Sequence, residues 1–62
     1  MKKYRMFVTD KAKALDALKH IDVDVYDEEL SIHVVSQQPI STIIIYLNDC
    51  QIVVYDVEEL AG

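Results

Sequence analysis

The chain has 62 residues, a single cysteine, two histidines and a formal charge of −5 from six basic and eleven acidic side chains. One cysteine excludes an intrachain disulfide, and these Cys and His side chains fall short of the four ligands of a structural zinc cage. At this length the sequence is one domain, residues 1–62, with a marginal core, because domains of this size bury only about 60 % of their unfolded surface. Dense apolar packing or self-association is expected to supply the remainder.

Residues 3–8 place Tyr4, Met6 and Val8 on one side of a first strand, with Arg5 and Phe7 opposite. Thr9 or Asp10 then offers an oxygen to the unpaired amides of a helix start. Residues 10–20 form that helix, with Ala14, Leu15 and Leu18 as a narrow apolar stripe and Lys19 and His20 at its negative end.

Beyond the helix the composition changes: 14 of the remaining residues are Ile or Val, which favours strands. Residues 21–26 alternate Ile21, Val23 and Val25 with Asp22, Asp24 and Tyr26, a half-buried strand. Asp27–Glu29 is a turn, and residues 30–35 return as an antiparallel strand. Pro39 interrupts it, because proline removes a ladder donor. Residues 40–47 and 51–57 are predicted as two further strands joined by a tight turn at Asn48–Asp49.

The expected fold is α+β: a small two-layer sandwich in the order β-α-β-β-β-β. One mostly antiparallel sheet carries a single helix on one face, and the helix is a right-handed crossover if the first two strands are parallel neighbours. A helix of this length spans only about 16 Å and covers one face. The last two strands are apolar at every position over 43–47 and 52–55, whereas a strand with one wet face alternates. Both faces of that hairpin are therefore expected to be buried, with a second copy covering the outer one. Ile43, Ile44, Ile45, Tyr46, Ile52, Val53, Val54 and Tyr55 are the predicted homodimer interface.

Charge is divided along the chain. Residues 1–19 hold all six basic groups against Asp10 and Asp16, giving +4; the rest hold nine acidic groups and no Lys or Arg, giving −9. Asp22, Asp24, Asp27, Glu28, Glu29, Asp56, Glu58 and Glu59 form a candidate acidic face for a partner with a basic surface. An oxygen-ligand cation site fails on spacing: counted from Asp22, the sixth position of a calcium loop is Asp27 and the twelfth His33, where glycine and glutamate are needed. The one glycine is Gly62, so no glycine-rich loop can cradle phosphate. Cys50 with His20 or His33 is a poor nucleophile pair, because adjacent Asp49 raises a thiol pKa. No metal, cofactor or catalytic residue is expected. Lys2, Lys3, Arg5, Lys11, Lys13 and Lys19 with Tyr4 and Phe7 would be the nucleic-acid surface if there were one, but the net charge has the wrong sign.

The reading that follows is a small acidic protein–protein interaction module acting by binding rather than catalysis. In size and composition it resembles phage-type inhibitors of host defence or nucleic-acid-processing proteins. A structural subunit whose apolar hairpin only builds an oligomer is the alternative, and a nucleic-acid binder the third reading. The longest apolar run, Ile43–Leu47, is far shorter than the roughly 20 residues of a membrane helix, and Thr9 and Asp10 cut off any signal-peptide core of about 7–15 residues. A cytoplasmic location is expected, the host cytoplasm if the source is viral, with no membrane contact.

Overall fold

In the computed structural model, which describes residues 1–61, the first strand is β1 (Lys2–Val8) and the first helix α1 (Lys11–Leu18). The alternation read from β1 is present: Tyr4 and Met6 are buried while Lys3 is exposed and Arg5 and Phe7 are half-buried. The Asp10 carboxylate caps α1 by accepting from the Lys13 amide at 3.0 Å. Ala14, Ala17 and Leu18 form its buried stripe.

Strand β2 (Asp24–Asp27) and strand β3 (Ile32–Ser36) make the expected antiparallel hairpin, closed by the Glu28 amide donating to the Ser31 carbonyl at 3.1 Å. Both strands start later than predicted. Residues 21–23 are a loop, and Leu30 stands 80 % exposed at the turn rather than continuing the inward row of Ile32 and Val34.

The main correction is residues 40–47. They begin a second helix, α2 (Ile40–Asp49), not a strand, so the sheet carries two helices instead of one. Pro39 precedes the helix with φ −60, a value compatible with a helix entrance. Ile40, Ile43, Ile44 and Leu47 recur at helical spacing, and Ile43 and Leu47 are fully buried. Tyr46 turns toward α1, where its hydroxyl donates to the Ala17 carbonyl at 2.8 Å.

The predicted Asn48–Asp49 hairpin turn is instead the end of this helix. Gln51 adopts φ 65, its amide donates to the Asn48 carbonyl, and the Ile52 amide donates to the Leu47 carbonyl, both at 2.9 Å. This is a Schellman termination, with Ile52 and Leu47 supplying the apolar contact that accompanies it. The last strand, β4 (Val54–Leu60), begins three residues later than the predicted one and ends three later.

Sheet order is β2-β3-β1-β4, every neighbouring pair antiparallel. Strands β1 and β2 are therefore not neighbours, because β3 lies between them. Two β-α-β units interlock in this way, which is the ferredoxin-like β-α-β-β-α-β topology. Both helices pack on one face, where Tyr4, Met6, Ile32 and Val34 meet Ala14, Leu18, Ile43, Leu47 and Ile52 in a single core.

Candidate functional site: the open face of the sheet

With both helices on one side, the odd-numbered side chains of β1 and their cross-strand partners form a face that no other element of the described residues covers. The register sets them in rows. Asp24, Val35, Lys3 and Leu60 form one; Tyr26, His33, Arg5 and Glu58 form the next. Phe7 and Asp56 pair in the third, where a register shift leaves Tyr55 as an extra residue on β4. Such a bulge re-aims a side chain: Tyr55 swings beside Phe7, with ring centroids 6.2 Å apart, and is 65 % exposed. Tyr26 is 56 % exposed and tilts over His33 at 5.8 Å. The Nε2 of His33 is buried without a hydrogen-bond partner.

Arg5 is the cation at the centre. Its Nε donates to Glu28 Oε1 at 3.2 Å and its Nη1 to Glu58 Oε1 at 3.4 Å, so one guanidinium serves two carboxylates, one from the β2–β3 turn and one from β4. Glu28 Oε1 also accepts from the Ser31 hydroxyl at 3.0 Å. That bond, followed by Arg5, holds the Glu28 carboxyl below the usual carboxylate range. The pairs with Glu28 and Glu58 raise the Arg5 pKa in turn. Lys11 reaches across from α1 to the Glu28 carbonyl at 2.6 Å and to Asp27 Oδ1 at 2.8 Å, tying the β2–β3 turn to the helix.

The division of charge seen along the chain does not survive folding. Basic β1 lies between β3 and acidic β4, so Lys2 pairs with Glu59, Arg5 with Glu28 and Glu58, and Lys11 with Asp27. The eight acids expected to share one face are thereby dispersed. Asp27, Glu28, Glu58 and Glu59 are engaged by the chain's own cations. Asp22 and Asp24 instead line an open concavity of about 310 Å³ with Met1, Val23, Val35, Ser36, Gln37 and Gln38. Glu29 is exposed in the turn, and Asp56 accepts from the amide of Val57 at 2.9 Å.

The predicted dimer-interface residues are also separated. Ile43 and Ile52 belong to the chain's own core, Ile44, Tyr46 and Val54 are half-buried against it, and Ile45, Val53 and Tyr55 are exposed. Their apolar run is accounted for by a helix with one buried side and by the turn that ends it, so the need to cover both faces of a hairpin disappears. Cys50 is a half-buried free thiol at the end of α2, on the helix side of the sheet. His33 is on the opposite side, so the two do not meet. Burial, and then the neighbouring Cys50, push the Tyr46 phenol up.

The residues the sequence reading missed are Tyr26, His33, Val35 and Leu60, and the assembly of Phe7 and Arg5 with them. Their signal is the even-against-odd remainder of each strand, the positions left over once the core row is assigned. Among the described residues, no three His, Cys, Asp or Glu side chains converge as metal ligands, and no helix is long and apolar enough to cross a membrane. No protein-family model matches the chain, and neither a curated protein nor a solved structure matches it.

Proposed function

We propose that this chain is a protein-binding module that engages its partner through the open face of its sheet, by binding rather than catalysis. The observation that carries this reading is the face itself. Phe7, Tyr26, Tyr55, Val35 and Leu60 surround a paired Arg5, on the one side of the sheet that no helix covers. Aromatic side chains beside an arginine are the residue types that dominate binding energy at protein interfaces. A flat sheet face also suits a macromolecular partner better than a small substrate, which needs a deep apolar pocket.

Aromatics on an uncovered sheet could equally stack nucleic-acid bases, but that mode works with free cations that follow the phosphates. Here Asp24, Asp56 and Glu58 outnumber Lys3 and Arg5 on the face, and Arg5 is already shared by two carboxylates. Mimicry of phosphates by a row of free acids has little support for the same reason. Half of the candidate acids are neutralised within the chain.

The test compares the parent chain with a Tyr26→Ser/Tyr55→Ser double variant, each immobilised and used to capture proteins from a lysate of the source cells. Both tyrosines are more than half exposed, so the variant should melt within a few degrees of the parent. A protein captured by the parent and depleted at least tenfold by the variant supports the reading. Equal capture by both, or no capture by the parent, overturns it.

A further inference from the structure

The sheet has two edges, and they differ. Strand β2 is four residues long and is strapped by Lys11 through Asp27 and the Glu28 carbonyl. Strand β4 is seven residues long and, among the described residues, pairs with β1 and with no strand on its outer side. It runs about 23 Å at 3.3 Å per residue. An edge of this length presents unpaired amides and carbonyls at alternate positions and is a template for another strand.

The hydrogen bonds show which positions face outward. The Thr9 amide donates to the Val53 carbonyl at 3.0 Å, so the ladder bonds of β1 begin there. Across the bulge at Tyr55, the alternation of an antiparallel ladder then turns the backbone groups of Val57 and Glu59 away from β1. The Val57 amide confirms this phase. It takes the Asp56 carboxylate as its acceptor in place of a β1 carbonyl.

Charge selects what can pair there. The strand carries Asp56, Glu58 and Glu59 and no basic residue. A second copy laid along β4 would double that negative charge on adjacent strands, and like charges directly opposite are destabilising. Asp56 and Glu58 project onto the open face with the Tyr55 ring, while Val54 and Val57 lie half-buried toward the helices, followed on that side by Glu59 in its pair with Lys2. A complementary strand therefore alternates. Its basic side chains lie on the open face against Asp56, Glu58 and the Tyr55 ring, and its apolar side chains extend the row of Val54 and Val57.

We propose that the β4 edge docks an extended, alternating basic–apolar segment of a partner protein as a fifth strand. The proposal rests on the reading of the chain as a protein-binding module and specifies the partner's chemistry. The incoming strand displaces the Asp56 carboxylate from the Val57 amide and bonds to the Val57 and Glu59 backbone. Asp56 thus guards the edge against unselected strands and yields to one that brings a cation for the freed carboxylate.

The probe is a fluorescently labelled seven-residue peptide alternating lysine and valine, with both ends capped, titrated into the intact chain by anisotropy. Binding should weaken several-fold when salt rises from about 0.05 to 0.5 M. A peptide with glutamate in place of lysine should not bind. N-methylation of alternate amides on the pairing edge should abolish binding at unchanged charge, as should Glu59→Pro, which removes an outward donor while sparing the bonds to β1. Because Glu59→Pro also breaks the Lys2 pair, Glu59→Gln is the control and should weaken binding only modestly. Equal binding of the N-methylated peptide, or undiminished binding to a folded Glu59→Pro variant, overturns the proposal, as does no binding by the parent. Any of these failures leaves the open-face reading to be decided by the tyrosine double variant, which spares the β4 backbone.

Discussion

Gln51 holds a conformation that its side chain does not favour, and replacing it should stabilise the protein. With φ 65 it is the one non-glycine residue at positive φ among the described residues, and a left-handed conformation costs an L-residue with a Cβ roughly 1–2 kcal/mol. Gln51→Gly removes that cost. The gain is offset by the greater freedom of glycine in the unfolded chain, about 0.4–1 kcal/mol. The Gln51 side chain is exposed, and the two bonds that terminate α2 use backbone groups that glycine retains. The net stabilisation is about 0.5–1 kcal/mol, or roughly 2–8 °C in Tm for a domain of this size. Gln51→Val should lower stability by about 1 kcal/mol, because a β-branched residue fits this region worst. Thermal and urea melts followed by circular dichroism measure both. If Gly is neutral or destabilising while Val is tolerated, residues 48–52 do not form this helix end, and the second helix loses its main local support.

Three other predictions follow, two from burial and one from titration. Ile43→Ala should cost about 2–5 kcal/mol, since the side chain is fully buried between α2 and the sheet. Val53→Asp, at a position 56 % exposed, should change stability by no more than about 0.5 kcal/mol and leave the solution mass unchanged; loss of folding or a halved mass would restore the hairpin reading. Glu28 titrates below its ordinary value of 4.5 in the folded state, chiefly through the Ser31 hydroxyl. Its contribution is therefore complete above the unfolded pKa and disappears as pH falls through the lower folded one. Ser31→Ala should reduce the loss of urea midpoint between pH 5 and pH 3, and an unchanged or steeper loss would show that Glu28 is not held by Ser31.

The first half of the fold is legible because each element there has one dominant signal. Tyr4, Met6 and Val8 alternate, Asp10 caps, and Ala14 and Leu18 repeat at helical spacing. The second half misleads where two signals conflict. Ile43, Ile44 and Ile45 are β-branched, which favours a strand, while Ile40, Ile43, Ile44 and Leu47 are spaced for a helix. Packing settled the conflict, since the helical stripe fits the half of the sheet that α1 leaves uncovered and a third consecutive strand does not. Treating Pro39 as a break rather than an entrance concealed this. The candidate site was legible only in fragments. That Arg5 and Phe7 point away from Tyr4 follows from alternation, but their meeting with Tyr26, His33 and Tyr55 depends on strand order. Strand order comes from tertiary pairing between segments as distant as Lys3 and Leu60. The charge division failed for the same reason, because distance along the chain carried no information about which strands become neighbours.

The pairing of Lys3 with Leu60 has a consequence of its own. Because β1 and β4 are adjacent and antiparallel, the backbone enters the domain and leaves it at the same border of the sheet, a strand's width apart. A short turn could join them, and new ends opened at the exposed Leu30 turn would give a circular permutant with every ladder preserved. By the same geometry the whole unit can be spliced into a surface loop of a host protein without prising that loop open. It would stand out from its carrier like a bead on a doubled thread, held by one end of its strands and not by its uncovered face.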